Sequence, residues 1–154
     1  MTGKYANYFL LAAVIYFVVS AVLGLAMIMS WTGGQWRGLD YYLIPSHAHL
    51  MLLGWVSMTM YGMMYRVVPA FFGRRLYSEW LAWTHLVIAN IATVGMALFF
   101  GLHRWQEGRW VWALAASGSL QFFGILVFAF NMIASVVCGE TKLEVYRDYA
   151  SKGS

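Results

Sequence analysis

The chain has 154 residues, of which 62% are hydrophobic, 18% aromatic and only 10% charged, with a formal net charge of +4. A soluble domain carries about 25% charged residues, so this balance excludes a disordered protein, which needs low hydrophobicity. It also excludes a nucleic-acid partner, because the cations form no basic face, and a disulfide scaffold, because Cys138 is the only cysteine.

What remains is an integral membrane protein. Four charge-free gaps lie between Lys4 and Arg37, Asp40 and Arg66, Glu79 and Arg104, and Arg109 and Glu140, holding 32, 25, 24 and 30 residues. A spanning helix needs about 20 apolar residues, so each gap fits one helix and none fits two. The expected fold is all-α, one domain over 1–154, with four transmembrane helices near 8–29, 47–67, 80–102 and 110–138. The first apolar run is longer than the ~7–15 residues of a signal-peptide core, so it reads as a retained span. Turn chemistry at Gly33-Gly34, Pro45-Ser46, Pro69 and Gly108 marks the expected span ends.

One side of the membrane receives Lys4, Arg66, Arg74, Arg75, Lys142, Arg147 and Lys152, and the other receives Arg37, Arg104 and Arg109. That asymmetry predicts both termini in the cytoplasm, and the expected location is a bacterial or archaeal inner membrane. Trp31, Trp36, Tyr41, Tyr42, Trp105, Trp110 and Trp112 would belt one interface, and Tyr77, Trp80 and Trp83 the other.

Polar groups inside a bilayer are costly, so those in the spans are the candidates for chemistry. His47 and His49 open the second expected span, His85 lies early in the third, and His103 ends it. At ~1.5 Å rise per residue, His47 and the level of His85 are about 24 Å apart in depth. One iron therefore cannot be shared by His49 and His85 of the same chain, whereas His49 and His103 are similar in depth. Two residues apart on a helix, His47 and His49 point about 200° from each other. The plainer readings are water-bonded interfacial imidazoles for His47 and His49, a core hydrogen bond to a backbone carbonyl for His85, and a loop residue for His103. Met51, Met58, Met60, Met63 and Met64 fall in one span; thioethers bind Cu(I), but methionine is also a flexible core filler. Arg37, Arg104 and Arg109 lie level with His47 and His49 and suit carboxylates such as haem propionates, or plain interfacial anchoring. No acidic residue lies in an expected span, so a carboxylate proton path is missing.

The run Ser46-His47-Ala48-His49-Leu50-Met51-Leu52-Leu53-Gly54-Trp55-Val56, followed by Tyr61 to Pro69, resembles the second helix of the catalytic subunit I of the haem-copper oxidase superfamily, especially the nitric oxide reductase branch. Leu81 to His85 with Asn90 and Gly95 resembles the family's third helix, and Phe128 to Asn131 a Phe-x-x-Asn pattern in its fourth. The resemblance implies haem b, with His49 as an axial ligand and His47 as the nearest alternative; the other ligand would come from a neighbouring chain, from His103, or from nothing. Four of the family's twelve core helices are covered, and the histidines of its binuclear centre have no counterparts here. The resemblance also implies threefold pseudosymmetry in arcs of four, so a homotrimer would rebuild twelve helices. Gly24, Ala26, Gly54, Ser57, Ala116, Ser117 and Gly118 would permit close helix approach, and Ser57, Thr59 and His85 would seek partners in another copy. The expected function is respiratory electron transfer or handling of O2 or NO, with the lipid bilayer, further copies and an electron donor as partners. The alternatives are a cofactor-free accessory or assembly subunit, and a copper-handling protein using His47, His49 and the methionines.

Overall fold

A computed structural model describes residues 3–34 and 37–139. Trp36, Lys142, Arg147 and Lys152, used above for the interface and for orientation, lie outside the described residues. Four helical rods follow one another up and down, and no β-strand occurs among the described residues. The first rod is α1 (Lys4–Trp31). The second consists of α2 (Leu39–His49), a π-helical segment (Leu50–Ser57) and α3 (Met58–Phe71). The last two are α4 (Glu79–Trp105) and α5 (Val111–Val137).

Three helices, α1, α4 and α5, are long and apolar enough to cross a membrane. The fourth expected span, 47–67, is not a single α-helix: it is the middle of the second rod, cut by the π segment into pieces that each fall short of spanning length. The rod also begins earlier than expected. Gly38 takes φ 83°, a conformation glycine enters without a Cβ penalty, and α2 starts at the next residue. Pro45, expected at a span end, lies inside α2. It has no N–H to give the Tyr41 carbonyl four residues back, and the Arg104 guanidinium donates to that carbonyl from α4 instead.

Small residues set the close contacts. A Cβ on Gly54 would stand 2.7 Å from Cβ and Cγ of Tyr16, and one on Gly62 would stand 3.0 Å from the Ala6 carbonyl. The buried positions Tyr5, Ala6, Phe9, Ala13 and Tyr16 recur at three- and four-residue steps along α1 and form the stripe that meets the second rod. Tyr16 donates to Asn90 Oδ1 at 2.7 Å, tying α1 to α4.

At the 72–78 end, Asn131 pairs with the backbone of Ser78 through both ends of its amide, at 3.1 and 2.9 Å. Ser78 caps α4 by accepting from the Leu81 N–H at 3.2 Å. Arg74 Nη1 donates to the carbonyls of Val137 and Gly139, both at 3.0 Å, at the C-terminus of α5. Here α3 reaches α5. Towards the other end α2 packs on α1 and α4, and α5, packed on α4, stays clear of α2, so a groove opens on the flank of the bundle.

Candidate functional site

The two neighbouring imidazoles of α2 face different ways, as their spacing requires. His47 turns to α1. Its Nδ1 lies 2.9 Å from the Ser20 carbonyl and 3.0 Å from Ser20 Oγ, while Ser20 Oγ donates to the His47 carbonyl at 3.1 Å. Gly24 makes room for the ring, since a Cβ there would sit 3.2 Å from His47 Cε1.

His49 turns to α4, its ring centroid 4.4 Å from that of Phe100. Its Nδ1 lies 2.7 Å from the Pro45 carbonyl, one turn earlier. A carbonyl only accepts, so Nδ1 carries the proton and the neutral ring keeps a lone pair on Nε2. No hydrogen bond to Nε2 is formed among the described residues. An imidazole held through Nδ1–H by a backbone carbonyl is fixed in tautomer and orientation with its other nitrogen free, which suits a metal ligand.

The ring lines the flank groove, a cavity of about 340 Å³. Ala48, His49 and Leu52 come from the second rod, Met96 from α4, and Gln121 and Phe122 from α5. The size is at the lower end for ligand pockets, and the lining is apolar with few polar groups, as such sites are. Leu52 and Phe122 are each 63% exposed, so the groove is open along the flank. Gln121 is only 5% exposed, and its Oε1 is buried with no partner.

The other candidates are placed elsewhere. His103 lies in the last turn of α4 with its Nδ1 buried and unpartnered. A Cβ on Gly108 would stand 3.8 Å from its Cε1, which puts the ring by the 106–110 turn. Arg104 is committed to Tyr41, with its guanidinium 4.6 Å above that ring. Arg37 and Arg109 are exposed. No group of three or more His, Cys, Asp and Glu side chains converges among the described residues. Of the five methionines in the second rod, Met58 is buried, Met60 and Met63 are exposed and Met51 and Met64 are half-buried, so they share no common face.

His85 is fully buried, but its partner is not a backbone carbonyl. Its Nδ1 lies 3.1 Å from the Tyr65 hydroxyl. Phe9, Tyr61, Tyr65 and Phe128 surround the ring with centroids 4.5 to 5.9 Å away. Ser57 and Thr59 also find partners within their own rod, donating to the carbonyls of Leu52 at 2.8 Å and Trp55 at 2.7 Å. Short hydroxyl side chains bond back to their own helix readily. Ser57 and Thr59 thus find their partners inside the chain, whereas His85 is partnered at Nδ1 only and its buried Nε2 has no hydrogen bond among the described residues.

Gln121 was not singled out in the sequence. The available signal was a lone amide in the middle of an otherwise apolar span.

The family model of Cytochrome C and Quinol oxidase polypeptide I matches residues 2–110, and the chain belongs to that family. It is an integral membrane protein related to haem-copper oxidase subunit I, a family that generally holds haem and copper. No curated protein and no solved structure gives a match.

Proposed function

We propose that the chain is a haem b-binding membrane protein of respiratory electron transfer or O2 and NO handling, with His49 as an axial ligand. The observation that carries this is the His49 ring itself: Nδ1–H engaged by the Pro45 carbonyl, and Nε2 left with its lone pair on the groove. His47 is the poorer candidate, because Ser20 and Gly24 of α1 seat its ring on the opposite side of the rod.

A bound haem supplies a one-electron couple and, with a vacant axial position, a site for a neutral diatomic. The chain's own part is to orient His49, to keep the site apolar through Leu52, Met96 and Phe122, and to offer cations for propionates. Arg37 and Arg109 suit that last role best, because Arg104 already serves Tyr41. The groove is open on one flank, and a homotrimer would supply the missing wall. Cytoplasmic termini complete the proposal, and a reporter fused after Ser154 tests them.

The visible spectrum of the purified, dithionite-reduced protein is the test. Sharp b-type bands are expected, lost in His49→Ala and retained in His47→Ala. A colourless natural protein, or an unchanged spectrum in His49→Ala, overturns the assignment and leaves the accessory-subunit reading.

A further inference from the structure

The loop that joins α3 to α4, residues 72–78, is fastened more firmly than a connection of its length requires. Gly73 turns the chain at φ 62°, and the Arg74 N–H returns to the Pro69 carbonyl at 2.9 Å. Three ties then run to α5. The Tyr77 N–H donates to Ser135 Oγ at 2.9 Å, the Asn131 amide brackets the Ser78 backbone, and Arg74 Nη1 holds the carbonyls of Val137 and Gly139. A Cβ on Gly139 would stand 2.7 Å from the Arg75 carbonyl, so the end of α5 lies directly on the loop. Loops ordinarily run free over the surface, and binding residues sit on those that a rigid scaffold holds.

What this loop displays is positive charge at the membrane face. Arg75 is exposed. Arg74 commits Nη1 to α5, which fixes the group, while its Nε and Nη2 make no hydrogen bond among the described residues. Arg66 is exposed on α3, five residues or about 7.5 Å below the end of that helix. Its stem therefore starts among acyl chains, and its guanidinium reaches up to the headgroups. Lys4 lies at the same end, where Glu79 is the one acid among the described residues. Phe71, Tyr77 and Trp80 are exposed beside the cations, and Tyr and Trp favour headgroup level. At that level the abundant anion is a lipid phosphate, which a guanidinium binds through two N–H groups at once.

We propose that Arg66, Arg74 and Arg75 form a binding site for an anionic phospholipid in the leaflet facing the 72–78 loop. The fastened loop presents Arg74 and Arg75 with little left to order on binding. Arg66 reaches the same phosphate layer from α3, and Phe71 and Trp80 offer apolar contact to the acyl chains. A zwitterionic lipid has the same phosphate but brings its own cation, which the arginines repel, so the net charge of the headgroup decides. The site is separate from the flank groove and does not rest on the haem reading.

The test is native mass spectrometry of the full chain in mixed micelles holding equal amounts of phosphatidylglycerol and phosphatidylcholine. The natural chain is expected to retain mainly phosphatidylglycerol. One cation near a lipid surface is worth a factor of roughly 5 in binding. Arg75→Gln should therefore lower the preference about fivefold, and Arg66→Gln with Arg75→Gln about 25-fold. Arg75→Lys, which keeps the charge, should retain most of it. Both positions are exposed, and helical circular dichroism checks that each variant is folded. Equal retention of the two lipids by the natural chain, or an unchanged preference in the double variant, refutes the site. Displacement of phosphatidylglycerol by inorganic phosphate at matched ionic strength shows a general anion site and overturns the lipid assignment. If the preference emerges only when Glu140, Glu144 and Asp148 are replaced together by their amides, the occupant is the chain's own C-terminal segment, and the proposal falls.

Discussion

Pro45 leaves the Tyr41 carbonyl without its helical donor, and Arg104 takes that place from α4. Pro45→Ala restores the backbone N–H, so the carbonyl no longer depends on the guanidinium. A hydrogen bond from a charged donor is worth roughly 1.5–3 kcal/mol, part of it the avoided cost of an orphaned acceptor. The guanidinium over the Tyr41 ring adds about 0.5–1 kcal/mol at an exposed site. Arg104 is half-buried, and solvent screening brings the sum down to about 1.5–2.5 kcal/mol. We expect Arg104→Leu to cost that much in the natural chain. In the Pro45→Ala background only the ring contact remains, and the cost falls to about 0.5–1 kcal/mol. The coupling is then about 1–1.5 kcal/mol, which a four-variant cycle isolates from any packing change at Pro45 itself. Reversible unfolding in mixed micelles, followed by helical circular dichroism, supplies the four free energies. Additivity within about 0.5 kcal/mol would show that Arg104 does not serve the proline-orphaned carbonyl.

Three further outcomes are expected. Phe9, fully buried against Tyr61, Tyr65 and His85, should cost about 2–4 kcal/mol on Phe9→Ala through lost ring contacts and a cavity. Leu11→Ala on the exposed face of α1 should cost little, since lipid is as apolar as leucine; equal losses in the same unfolding assay would contradict the packing. Gly54→Ala drives a methyl into Tyr16 and should destabilise by about 1–3 kcal/mol, while Gly118→Ala meets open space and should stabilise by about 0.5–1 kcal/mol, a sign difference that thermal melts resolve. Asp40 is held below the usual carboxylate range, first by the Ser30 hydroxyl and then by the Trp31 N–H. Its folded pKa is lower than its unfolded one, so its contribution is present above the usual range and disappears as pH falls through the folded value. Trp31 emission should report that step at a pH below the ordinary aspartate value, and Ser30→Ala should move it upward; no movement would detach Asp40 from these partners.

The charge-free gaps made α1, α4 and α5 legible, because length and apolarity are properties of a stretch and need no neighbour. The second rod was legible in part. Pro45 and Ser46 read as an edge, but a proline inside a helix is tolerated where another group reaches the freed carbonyl, and Arg104 sits 59 positions away in the chain. The π segment has no composition of its own: Leu50 to Ser57 reads like any buried helix. The divergence of His47 and His49 followed from helical angles alone. Which ring lines the groove did not, since that depends on Ser20 and Gly24 meeting the His47 side of the rod. For the same reason the Tyr65 partner of His85 and the lone position of Gln121 depend on cross-helix register, which no single helix encodes.

The groove lies along the side of the bundle, not at either end, and its exposed rim is Leu52, Phe122 and Ile125. Traffic to it is therefore two-dimensional. A molecule arriving there has already dissolved in hydrocarbon, so selection begins with partitioning, before any contact with the chain. Charged solutes are filtered out at no expense in protein machinery. The rate of supply then follows the composition and fluidity of the surrounding acyl chains more closely than the aqueous concentration of whatever binds.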